Sequence, residues 1–165
     1  MRRPTRDVPR TVRAAVDGRV LAAAEATDGT WLAGTRDALH LVGDDPAVWP
    51  WEEVQRADWD QESETLRVER MTDYGQPVEQ RRFELPEPGS LLPLVRERVT
   101  ASVVLERRVL VTGKRGLRVI ARRPASGAGE VRWMYLFDAG IDPDDPLVRL
   151  AAEEALRDAQ ESLGL

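Results

Sequence analysis

The sequence predicts an α+β protein, mainly antiparallel β, and three observations predict it. Short apolar segments alternate with polar residues and are divided by clusters of Gly, Pro, Asp and Ser. Two longer segments, "SLLPLVRERVTAS" and "DDPLVRLAAEEALRDAQESLG", carry apolar residues at helical spacing behind capping residues. No solenoid-like period recurs, so the strands build sheets and not a repeat array. The order is about six strands, a helix, three strands and a helix.

Residues 1–18 read as a basic arm with a short helical turn near Val12 to Val16. A strand follows over Arg19 to Glu25, and Asp28-Gly29 is a hairpin-type turn signal. "TWLAGTRDALHLVGDD" gives two strands, Thr30 to Gly34 and Ala38 to Val42, joined through Thr35-Arg36-Asp37. Pro46 and Pro50 lack amide donors, which makes Trp49 to Trp51 an edge or connecting segment. Trp51 and Val54 lie one helical turn apart before a strand over Gln55 to Asp60. "QESE" is a turn, and "TLRVERM" alternates Leu66 and Val68 against Arg67 and Glu69. In this reading the tryptophans point inward, while Glu52, Glu53, Asp58, Asp60, Glu62 and Glu64 are solvated charges rather than an acid-base pair.

Tyr74-Gly75 reads as a turn and Val78 to Leu85 as a strand. The first long helix has Ser90 as N-cap, Pro93 in its first turn, a stripe of Leu91, Leu94, Val95 and Val99, and Arg96, Glu97 and Arg98 outside. Then come "VVLERRVLV", a turn with Lys114 and Arg115 at its centre, "LRVIARR", the loop "PASGAG" and "EVRWMYLFD". The last helix starts from Asp145 and Pro146 and buries Val148, Ala152, Ala155, Leu156, Ala159 and Leu163. The organisation is an arm over 1–18, a β domain with its closing helix over 19–101, and a strand-and-helix extension over 102–165, in the same domain or as a small lobe.

Over about residues 20–101 this order resembles the bacterial pleckstrin-homology-like (PH-like) domains. The resemblance is carried by "WLAGTRDALHLV", by the proline-aromatic lead-in "VWPWEEVQRADWD", and by the helix "SLLPLVRERV". It implies an antiparallel sandwich or barrel closed by a helix, serving as a protein-, peptide- or lipid-binding module. Phosphoinositide-binding members carry a basic cluster in the first hairpin loop. The corresponding "ATDGT" has an acid and no base, so phosphoinositide is not an expected ligand. A fold of this kind does not by itself fix a function.

Composition narrows the classes. A hydrophobic content of 42% suffices for a packed core. No apolar run reaches a membrane span, and the basic N-terminus is not followed by a signal-peptide core, so a cytoplasmic protein is expected. Cysteine is absent, which removes disulfides, thiolate nucleophiles and thiolate zinc sites. Asn is absent and Lys114 is the only lysine beside many arginines, a composition of GC-rich, actinobacterial type. Part of the arginine excess therefore reflects coding and not phosphate recognition.

No catalytic residue, metal site or cofactor emerges. His40, the sole histidine, has only Leu39 and Leu41 beside it on its strand, neither a nucleophile nor an orienting acid. "VTGKRG" lacks the upstream glycine and following hydroxyl of a phosphate loop, and "DPDDP" lacks EF-hand spacing. The basic hairpin is the one candidate binding feature. Between Arg107 and Gly129, six arginines plus Lys114 face no acid; the segment is +7 in a chain of net −5. Arg107, Arg108, Lys114, Arg115, Arg118, Arg122 and Arg123 are the candidate polyanion-binding residues. Arg108, Leu110 and Thr112 fall on one face and Arg118, Ile120 and Arg122 on another alternating set, with Trp133 and Tyr135 as stacking surfaces on the next strand. Alternatively, these arginines lie over the protein's own acidic surface. The favoured function is a non-catalytic interaction module that binds a protein partner or forms a homo-oligomer. Nucleic-acid binding through residues 107–123 is the alternative, and an enzyme of unassigned class the second.

Overall fold

Turn chemistry starts the first sheet. Gly29, at φ +89°, reverses the chain between β1 (Ala22–Glu25) and β2 (Trp31–Gly34), and Asp28 Oδ1 accepts from the Thr30 N–H at 2.8 Å. Thr35 makes the next reversal: its hydroxyl oxygen accepts from the Ala38 N–H at 3.2 Å and holds β3 (Ala38–Val42) against β2. Among the described residues β4 (Ala47–Pro50) pairs with β3 alone, which completes the antiparallel order β1-β2-β3-β4 with a proline-bounded edge. The computed structural model describes residues 7–71 and 79–165.

Trp51–Glu53 form a single 3-10 turn, the helical turn that the Trp51/Val54 spacing predicts. It leads into β5 (Val54–Asp60), β6 (Thr65–Arg70) and β7 (Glu79–Glu84), which pair in the order β5-β6-β7. The expected Tyr74-Gly75 turn and Val78 lie outside the described residues. α2 (Leu91–Ser102) follows, and α1 (Arg10–Ala15) precedes the first sheet. β8 (Val103–Thr112), β9 (Arg115–Arg122) and β10 (Arg132–Phe137) form a third antiparallel sheet, β10-β9-β8, and α3 (Pro146–Ser162) ends the chain. Three antiparallel sheets and three helices make this an α+β protein, and among the described residues no sheet closes into a barrel. No helix among them is long and apolar enough to cross a membrane.

The chain divides into two compact units, Met1–Ser102 with Pro124–Ala128, and Val103–Arg123 with Gly129–Leu165. The first has one main core. Leu32, Leu39, Leu41 and Trp49 come from the four-stranded sheet, Val54, Leu66, Val68 and Phe83 from the three-stranded one, and Leu91 and Val95 from α2. β2 buries both of its faces: Leu32 enters this core, whereas Trp31 and Ala33 pack with Val12 and Val16 beside α1. The second unit packs Val148, Ala152, Ala155 and Ala159 of α3 on Leu117 and Val119 of β9.

Three expectations need correction. The strand expected over Arg19 to Glu25 begins at Ala22, because Gly18 at φ +100° turns the chain just before it. The second hairpin reverses at Gly113-Lys114, with Gly113 at φ +59°, so Arg115 already belongs to β9 and pairs with Thr112. Arg98 is half-buried and not outside, as a long arginine whose stem lies along apolar surface can be.

Trp49 and Trp51 are both completely buried but differ at one atom. Trp51 Nε1–H donates to the Thr35 carbonyl at 3.0 Å, whereas Trp49 Nε1 has no partner among the described residues. Both substitutions to Phe remove similar volume, so Trp51→Phe is expected to destabilise by about 1–3 kcal/mol more than Trp49→Phe. Urea unfolding of the two variants measures the difference; equal midpoints would show that the hydrogen bond carries no net weight.

Candidate functional site

The tryptophan-rich acidic stretch is a strand pair and its carboxylates are dispersed. Trp59 is half-buried against the same core as Trp49 and Trp51. Glu53 accepts from Arg70 at 2.8 and 3.0 Å, and Asp58 pairs with Arg67 at 2.7 Å and with Arg56 at 2.6 Å. Asp60 Oδ1 accepts from the Ser63 and Glu62 N–H groups, and these bonds hold its carboxyl below the usual carboxylate range. Each of these acids thus closes a turn or spans two strands. Asp142 and Asp145 of the "DPDDP" segment act likewise, accepting from the Asp144 and Leu147 N–H groups; Asp145 is the N-cap of α3. Among the described residues no group of three or more His, Asp or Glu side chains is placed to hold a metal ion.

His40 lies in β3 between Ala33 of β2 and Val48 of β4, only 4% exposed. Burial pushes its imidazole below the ordinary histidine value, and the negative charge of Asp17 opposes that shift. No nucleophile stands beside it in the ladder, since both cross-strand neighbours are aliphatic. Its role is that of a buried, neutral core residue.

The basic hairpin is split by register. Arg108 stands directly opposite Arg118, and Leu110 opposite Gly116, so Arg108 and Leu110 share a face with Arg118. The register shift pairs Thr112 with Arg115 and takes it off that face. Arg107 falls on the other face, opposite Val119, and donates to Ser162 Oγ of α3 at 3.0 Å. Arg108 donates to the Lys114 carbonyl and to Asp138 Oδ2, each at 2.9 Å. Arg118 donates to Glu106 Oε1 at 3.1 Å, and Arg122 is 3% exposed. Lys114, Arg115 and Arg123 are exposed. Trp133 and Tyr135 lie half-buried against the core beneath α3, which removes them as open stacking faces. Burial, with Glu153 nearby, raises the Tyr135 phenol. Asp138 is the clasp of the hairpin: its Oδ2 also accepts from the Gly116 N–H at 2.8 Å. Glycine is required there because a Cβ would run into the Val109 carbonyl.

A further feature escapes a residue-by-residue reading. A cleft of about 460 Å³ is lined by Asp7, Val8, Arg13 and the segment Gly18 to Ala23, along the start of edge strand β1. Arg13 and Arg19 are exposed at it, and Leu21 is 43% exposed. The sequence signal was available as charge: residues 1–19 hold six arginines and two aspartates in a chain of net −5.

Two outcomes follow from this geometry. Because His40 is depressed in the fold, the unfolded chain binds its proton first as pH falls below about 6.5. Stability is complete above that value and declines below it, by at most about 1.4 kcal/mol per pH unit. Unfolding midpoints between pH 7.5 and 5.5 are expected to fall less in His40→Gln than in the wild type; parallel curves would refute the assignment. Gly116→Ala is expected to cost at least about 2 kcal/mol by thermal unfolding, since backbone must move to admit the methyl group.

Comparison of the chain with known protein families, curated proteins and solved structures finds no match.

Proposed function

We propose that this chain is a non-catalytic interaction module, PH-like in its first unit, that works by binding a protein partner or a second copy of itself. The supporting observation is the pairing order. A four-stranded meander, a three-stranded meander and a following helix share one core, and α2 packs against β1, β2, β5 and the 3-10 turn. The surface chemistry agrees with this reading. Glu53, Asp58 and Asp60 of the first unit are spent on ion pairs and a turn, and among the described residues no three or more His, Asp or Glu side chains gather at one point. We read it as a bacterial, cytoplasmic protein without a bound cofactor.

Polyanion binding through residues 107–123 keeps one favourable observation, the exposure of Lys114, Arg115 and Arg123. It is the weaker reading, because Arg107, Arg108 and Arg118 already donate to the chain's own oxygens. Two measurements separate the readings. Light scattering after size exclusion, with an affinity pull-down identified by mass spectrometry, is expected to show a defined homo-oligomer or a stoichiometric partner. A strict monomer that captures nothing above control would overturn the module reading. A gel shift at low salt that disappears in Arg115→Ala/Arg118→Ala would instead favour nucleic acid.

A further inference from the structure

We propose that β8 pairs antiparallel with β8 of a second copy of this chain, joining two three-stranded sheets across a two-fold axis at Arg107. This deepens, and rests on, the reading of the chain as an interaction module, and it names the partner. β8 stands at one end of the order β10-β9-β8. From Leu105 to Leu110 its backbone has, among the described residues, no hydrogen-bond partner beyond the ladder with β9. None of the ten residues of β8 is buried, whereas β9 at the centre of the same sheet buries six of its eight. A row of unpaired N–H and C=O groups is what an added strand satisfies. The register shifts of the β8-β9 ladder fall between Val103 and Leu105 and between Leu110 and Thr112, so the stretch between them is regular.

The side chains select the occupant. Charge on an edge strand ordinarily deters addition. Here the charges complement themselves in one register. With Arg107 on the axis, Glu106 of each copy stands opposite Arg108 of the other, and Leu105 opposite Val109. Either neighbouring register leaves a charge opposite an aliphatic residue: Arg108 opposite Val104 with the axis at Glu106, or Glu106 opposite Leu110 with the axis at Arg108. Arg107 meets its own copy at the axis, but its Nη2 donates to Ser162 Oγ of α3 at 3.0 Å, which draws the guanidinium toward the helix. Leu105 and Val109 pack beneath α3, whereas Glu106, Arg108 and Leu110 alternate with them and are exposed. Bonding capacity remains on both charged partners. Among the described residues Arg108 uses only Nη2 on its own chain, and Glu106 only Oε1. Leu110, 59% exposed, is set against Val104 of the second copy, apolar against apolar. A polyanion would satisfy the arginines but would repel Glu106 and add no strand.

The chain contains no cysteine, so introduced thiols report on this pairing alone. In Arg107→Cys the two thiols face each other at the axis, where directly opposite Cα atoms are about 4.5–5.5 Å apart and within disulfide reach. In Thr112→Cys they lie about ten residues apart along the ladder, about 30 Å. Mild oxidation of the full chain is expected to crosslink the first variant and not the second. Light scattering after size exclusion, over a concentration series, is expected to show a dimer for the wild type. Glu106→Arg and Arg108→Glu each set like charges opposite one another and are expected to weaken that dimer about tenfold or more. An equimolar mixture of the two variants restores opposite charges and is expected to recover the dimer, which a folding defect would not do. Circular dichroism verifies that each variant is folded, and the cysteine pair tests the register without any charge reversal. A wild type that is monomeric throughout, equal crosslinking of both cysteine variants or of neither, a dimer indifferent to Glu106→Arg, or a mixture of folded variants that stays monomeric would each overturn the proposal. Any of these results beside a captured stoichiometric partner protein would sink the β8 pairing while leaving the module reading intact; the absence of any oligomer or partner is what sinks that reading.

Discussion

The first unit hangs on a buried hydrogen bond between an indole and a turn. Trp51 begins the 3-10 turn that carries the chain from β4 into β5, and Thr35 makes the reversal between β2 and β3. The 3.0 Å bond from Trp51 Nε1–H to the Thr35 carbonyl therefore ties the turn of one sheet to the crossover into the next. Inside an apolar core such a bond is costly to leave unmade, which makes it directional where hydrophobic contact is not. Gly34 belongs to the same arrangement. A Cβ there would stand 2.5 Å from Leu94 Cδ2 and 3.4 Å from Trp51 Cζ2, so α2 and the indole lie close over this point of β2. Trp49 occupies the same core with no partner for its N–H among the described residues, and its ring lies 5.8 Å beneath the Arg81 guanidinium.

In the second unit a carboxylate takes the corresponding part. Asp138 follows β10 and accepts from both Arg108 and the Gly116 N–H, while its own N–H donates to the Gly116 carbonyl at 2.9 Å. Gly116 sits where β8 approaches too closely for any side chain, next to a register shift between Leu110 and Thr112. The bulge and the clasp are thus one feature: the extra residue bends the hairpin tip, and Asp138 fixes the bend. Arg108, which by sequence belongs to a cationic cluster, is consumed in holding that geometry.

The arginines of this chain divide by context rather than by sequence neighbourhood. On the three-stranded β5-β6-β7 sheet they pair with acids on adjacent strands, as with Arg67 and Asp58, where each exposed pair contributes little stability but neutralises a dense surface. Arg13 and Arg19 are instead exposed at the cleft along the start of β1, with Asp7 in the same lining.

The sequence by itself determined the strand and helix order apart from β4, the turns at Asp28-Gly29 and Thr35, the helical turn after Pro50, and the buried face of α3. These depend on local rules: glycine's access to positive φ, proline's missing donor, and periods of 2 and 3.6 residues. Period alone also told that Leu66 and Val68 share a face. It did not tell that Trp31 and Ala33 are buried too, because that depends on α1 covering the second face of β2. Nor did it place Arg107 apart from Arg108, or withdraw Trp133 and Tyr135 beneath α3; cross-strand register and helix docking decided those. Local chemistry chooses how a segment folds, but what it faces is fixed by residues far away in the chain.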